Sequence, residues 1–130
     1  MVGRTLKIQF SSADASTAAA MSLYDDNDAA VTLASNERIL IDTLASNVAA
    51  AVTLVTVFND DDADAAIDAG ERIAAFGANS GFFQGGEEGY ACPIGVTPKV
   101  KASGAGQVDI TGSVRVVVGK SAGQRPSWRE

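Results

Sequence analysis

Apolar and polar positions alternate in twos over residues 4–10. Leu6, Ile8 and Phe10 share one face and Thr5, Lys7 and Gln9 the other, which predicts a half-buried strand. Residues 37–58 then hold two strand-like runs, 38–44 and 50–58, joined by a short linker at 45–48. In the second run Val52, Leu54 and Phe58 point one way and Thr53, Val55 and Val57 the other. Neither face is plainly polar, so a central strand is expected. Further strands are read at 29–33, after the turn residues Asn27 and Asp28, at 72–76, and at 90–94, an edge strand because Pro93 has no N–H to donate. Residues 97–102 and 107–111 flank Ser103-Gly-Ala-Gly106, a hairpin signal, and Val114, Val116 and Val118 mark a last strand after Gly112. Strands that follow one another this closely suggest antiparallel neighbours. The expected fold is all-β, an antiparallel β-sandwich or jelly-roll-like barrel of about eight strands.

Three segments interrupt this pattern. Residues 11–30 are rich in Ala, Ser and Asp, so Asp14 either caps a short helix through Ala20 or the segment is an extended N-terminal arm. Residues 77–89 are Gly-rich and irregular around Phe82 and Phe83, and the tail at 121–130, with Pro126 and Trp128, has no periodicity. The chain divides on this reading into an N-terminal strand and arm (1–30), a β domain (31–120) and a flexible or docking tail (121–130).

Composition narrows the chemistry. The 130 residues suffice for one core, and 46% hydrophobic with 20% charged residues opposes global disorder. Histidine is absent, which removes Ser-His-Asp and Cys-His activation and the usual zinc ligand sets. An enzyme is therefore not expected. A net charge of -6 and 6% aromatics disfavour nucleic acid as a partner. No apolar run reaches membrane length and the N-terminus lacks the order of a signal peptide, so a soluble protein beginning at Met1 and no membrane partner are expected. The single Cys92, beside Pro93, reads as a small buried hydrophobe.

The densest chemistry lies in Asn59-Asp-Asp-Asp-Ala-Asp-Ala-Ala-Ile-Asp-Ala-Gly-Glu71. With Asp60 first, this run resembles the calcium loop of EF-hands and dockerin-like modules. The resemblance assigns ligand positions to Asp60, Asp62, Asp64, the carbonyl of Ala66, Asp68 and Glu71, with Ile67 as the apolar position. A hard cation needs several oxygens, and alternate acids on a curled loop supply them. The loop departs from the pattern where Ala65 stands in place of the turn glycine and where a strand, not a helix, precedes it. The alternative is a solvated acidic turn, and without a cation the crowded carboxylates call for some counter-charge nearby.

Other positions carry weaker signals. Gly104-Ala-Gly106 lacks the Gly-Lys-Ser/Thr of a phosphate loop. Lys99 and Lys101 share a strand face, either solvated or half of an interface. Phe82 and Phe83 read as core anchors or as a subunit contact. Asp42, on a central strand, is a candidate for a buried, paired acid.

The succession of Ala34-Ser-Asn-Glu-Arg-Ile-Leu-Ile-Asp-Thr-Leu44, an apolar strand, the Asp-rich turn, Ala91-Cys-Pro-Ile-Gly95 and Pro98-Lys-Val-Lys-Ala-Ser-Gly-Ala-Gly-Gln-Val-Asp-Ile-Thr-Gly112 resembles small structural proteins of tailed bacteriophages, in particular capsid decoration (cement) proteins. That resemblance implies a structural virion protein on the capsid exterior, made in the host cytoplasm. It would bind the major capsid protein, self-associate as a homo-oligomer, commonly a trimer, and cement neighbouring capsid subunits. It carries over no functional residue. The rival expectations are a calcium-dependent extracellular binding or adhesion module and a phage tail-tube or fibre component.

Overall fold

A computed structural model of the chain describes residues 4–60, 62, 64 and 66–118. The alternation over residues 4–10 has the expected result. β1 (Arg4–Asp14) buries Leu6, Ile8 and Phe10 and turns Thr5, Lys7 and Gln9 to solvent. After it come β2 (Ala19–Ala20), β3 (Ser22–Tyr24), β4 (Ala30–Val31), β5 (Glu37–Val48), β6 (Val55–Phe58), β7 (Arg72–Phe76), β8 (Asn79–Gln84), β9 (Tyr90–Ala91), β10 (Lys99–Ala102) and β11 (Ala105–Val118). The described residues contain no helix. The strands form two antiparallel sheets, a larger one in the order β4-β3-β1-β11-β5-β8, with β9 also on β5, and a smaller one in the order β2-β10-β6-β7. The expected all-β sandwich is the fold, and the described residues form eleven strands because β2, β3 and β8 arise in segments not read as strand, while the runs at 107–111 and 114–118 are one strand, β11.

The core fills the space between the sheets. The larger sheet contributes Ile8, Ile39, Ile41, Leu44, Val108, Ile110 and Val114 and the smaller one Val55, Val57 and Val100, all shut off from solvent. Ile41 and Leu44 are three residues apart, yet both face inward, which strict alternation forbids. A β-bulge resolves the conflict. Ser113 pairs with Thr43 and Val114 with Ile41, so Asp42 is the extra residue and the phase of β5 resets around it. Gly112 belongs to the same device, since a Cβ there would lie 2.2 Å from the carbonyl oxygen of Thr43.

Several sequence expectations need correction. Residues 45–48 are not a linker but the end of β5, and of the second apolar run only Val55–Phe58 is strand. These two runs lie in opposite sheets, with a turn closed by the Val52 N–H on the Ala49 carbonyl between them. Ser103-Gly104 is likewise a crossing between sheets and not a hairpin turn, with Ala105 and Gly106 already in β11, because β10 pairs with β2 and β6 whereas β11 pairs with β1 and β5. The stretch 77–89 contains the strand β8.

The extended N-terminal arm is not found among the described residues. β1 lies between β3 and β11, and Ala15, Met21 and Leu23 are buried in the core, so this segment packs into the sandwich. Nor does Asp14 cap a helix. Its carboxylate accepts from the N–H and hydroxyl of Ser16 and fixes a turn instead. The tail at 121–130, with Pro126 and Trp128, lies outside the described residues.

Candidate metal centre

Each of the four residues of β6 is buried. Val55 and Val57 face the core, whereas Phe58 stands opposite Lys99 on the outer face of the smaller sheet and is still fully buried. The acidic segment that follows covers that face. Its Ala66 and Ile67 line a hollow there with Leu54, Thr56 and Lys101. The neck of the loop is closed by the Asn59 N–H donating to the Glu71 carbonyl at 2.9 Å.

Inside the neck the acids fold the loop onto themselves. Asp60 Oδ1 accepts the Asp64 N–H at 3.1 Å, Asp64 Oδ1 the Ala66 N–H at 2.9 Å, and Glu71 Oε1 the Asp68 N–H at 2.8 Å. The result is a cluster in which carboxylate oxygens of Asp60, Asp62, Asp64 and Glu71 lie within 4.8 Å of one another. Asp60 and Glu71 form its buried floor, and Asp62 and Asp64 its exposed rim. The Asp62 carboxyl is pushed up to about 7, first by desolvation, then by hydrogen bonds to Asp68, Asp64 and Asp60 and by the charge of Asp64. This upward shift reflects carboxylates crowded together, and a cation binding there would relieve their repulsion. Four converging carboxylates can hold a metal ion.

Of the six positions read from the sequence, four form this cluster. Asp68 reaches it through its hydrogen bond with Asp62, and Ala66 is tied in by its amide on Asp64. Ala65, where the turn geometry departs from the pattern, lies outside the described residues. Sequence reasoning missed the role of Lys99. Its ammonium lies 2.7 Å from Asp60 Oδ2, so it is the counter-charge that the acidic run called for. The signal was present in the strand pattern, which puts Lys99 on the face opposite Val100, but only the pairing of β10 with β6 sets it beside Asp60.

The remaining ionisable groups tie strands together. Arg115 donates from Nη2 to Asp42 Oδ1 at 2.9 Å and from Nε to both carboxylate oxygens at 3.2 Å, so Asp42 is paired although only partly buried. Arg4 reaches Glu37 at 3.1 Å, and Lys7 pairs with Asp28. Cys92 is 1% exposed, as expected of a small hydrophobe, and burial pushes its thiol up to about 12. Phe83 packs against the core and meets Tyr90 edge-on at 6.3 Å between ring centroids, whereas its neighbour Phe82 is 64% exposed.

No protein-family model, no curated protein and no solved structure matches the chain.

Proposed function

We propose that this protein is a structural component of a tailed-bacteriophage virion. It sits on the capsid exterior as a homo-oligomer and cements neighbouring major capsid subunits, with calcium in the acidic loop. The observation that carries a role in assembly is Phe82, a large aromatic standing 64% exposed on the last strand of the larger sheet. Exposed aromatics of this kind anchor protein contacts. Its surroundings agree with such a role. The cations Arg4, Lys7, Lys99 and Arg115 each hold an acid from a distant segment, so charge serves to fasten the sandwich. The link to a virion comes from the resemblance of residues 34–118 to decoration proteins, and the net charge of -6 suits a capsid exterior better than a DNA-lined interior.

Calcium is the cation of choice because the cluster offers only carboxylate oxygens, the ligands of hard cations, on a loop that can supply further carbonyls. The cluster also supports a second reading, a calcium-dependent adhesion module whose ligand contacts depend on the ion. Mixing the purified protein with expanded phage heads separates the two. Cosedimentation with the heads and a raised head melting temperature are expected of a cement protein. Failure to bind heads, with or without calcium, would refute that role.

A further inference from the structure

β8 pairs with β5 on one side, through Gln84 opposite Thr43 to Asn79 opposite Val48, and no described strand lies on its other side. Among the described residues its outward backbone groups are therefore open to a further strand. Natural sheets blunt such edges with charge, proline, bulges or short length. The other edges here follow that rule. β2 and β4 are two residues long, β4 next to the acidic turn 25–28, and β7 begins at Arg72 and meets β6 through an irregular register. β8 has none of these protections. Asn79-Ser-Gly-Phe-Phe-Gln84 is six residues long, uncharged, free of proline and in unbroken register with β5.

We infer that β8 is the surface through which two copies of this chain join, edge to edge and antiparallel, about a two-fold axis through Phe82. This deepens the self-association proposed above and rests on that reading. The edge is self-complementary about Phe82, and its lack of charge admits a second copy as the occupant. A protein of net charge -6 repels itself over most of its surface, and a six-residue edge without charge lets two copies meet without opposing like charges. Parity then selects the register. A two-fold axis that relates antiparallel neighbours stands perpendicular to the sheet, so it keeps inner face with inner face. Phe83 faces the core and Phe82 solvent, hence only residues of equal parity can stand opposite each other. With Phe82 on the axis its ring meets that of the second copy, Ser80 faces Gln84, and Gly81 stands opposite Phe83. Centring on Gly81 instead would set Phe82 against Ser80 and leave both rings exposed. The first register gains a cross-strand aromatic pair.

The test is sedimentation of the full chain at high micromolar concentration, with variants read beside it. The wild type should sediment at twice the 13.3 kDa chain mass. Phe82→Lys should raise the dimer dissociation constant at least about tenfold, because it removes the ring pair and opposes two like charges on the axis. Ser80→Lys, exposed on the same face, should do the same if Phe82→Lys folds poorly by circular dichroism. Phe82→Cys should crosslink two chains under mild oxidation, and Ser80→Cys only in combination with Gln84→Cys, since directly opposed residues lie within disulfide reach. The native Cys92 is buried and does not compete. A wild type of another mass, an assembly indifferent to both lysine variants, or absence of the Phe82→Cys crosslink would each overturn this interface. An assembly that ignores the lysine variants leaves self-association standing, and head binding by a monomer leaves the capsid role standing.

Discussion

The Lys99 ammonium lies 2.7 Å from Asp60 Oδ2, and the Asp60 side chain is wholly withdrawn from solvent. This contact joins the smaller sheet to the floor of the acidic cluster, so one lysine acts on both stability and cation binding. Removing it leaves a buried carboxylate without this partner and takes a positive charge away from the ligand set.

Lys99→Met is therefore expected to destabilise the metal-free protein by about 1–3 kcal/mol, below the cost for a fully buried pair because the lysine is partly solvated. The same change should tighten divalent-cation binding. Urea denaturation and calorimetric titration with calcium measure the two effects, and weaker calcium binding by the variant would refute the location of the site.

A cation held by the folded loop and not by the unfolded chain raises stability, so on the proposed reading calcium should add about 2.7 kcal/mol at one hundred times its dissociation constant. For a domain of this size that corresponds to roughly 10 °C in melting temperature. Chelation should reverse the shift. Asp62→Asn should abolish it while leaving the metal-free protein at least as stable as the wild type, because the substitution removes one of the mutually repelling acids. A calcium shift that survives Asp62→Asn places the ion elsewhere.

Phe58 is fully buried on the outer face of the smaller sheet, at the end of the strand that leads into the acidic loop. Phe58→Ala should cost about 3–5 kcal/mol and also weaken calcium binding, since the loop loses the fixed strand end from which it starts. If stability falls while calcium affinity stays at the wild-type value, the loop does not depend on Phe58.

Glu37 is held below its usual value of 4.5, first by the Ala34 N–H; burial opposes this, and the hydrogen bond and charge of Arg4 add to the lowering. A folded value below the unfolded one means that the native state binds fewer protons. Its contribution is present above about pH 4.5 and lost as pH falls through the folded value. Glu37→Gln should consequently flatten the fall in urea midpoint between neutral pH and pH 3, and an unchanged slope would assign acid unfolding to other carboxylates.

Legibility in the sequence varied from one element to the next. β1 could be read outright, because Leu6, Ile8 and Phe10 keep strict period. The two buried faces of β6 were also visible. β8 was not visible. Asn79, Ser80 and two flanking glycine stretches look like a loop, and the segment is strand because β5 offers a partner from Thr43 to Val48. Asp42 was legible as a paired acid but not as the residue of a bulge.

The sequence by itself determined which positions turn inward along regularly alternating strands such as β1, the crowding of carboxylates between Asp60 and Glu71, and the burial of Cys92. Those follow from local periodicity and composition. Only the tertiary structure decided that the runs around residues 41 and 56 belong to opposite sheets, that Lys99 answers Asp60, and that Phe82 lies beside an open edge. Alternation encodes the face of a strand but not its neighbour. The neighbour is set by backbone hydrogen bonds between segments far apart in the chain, such as Arg4 beside Val116.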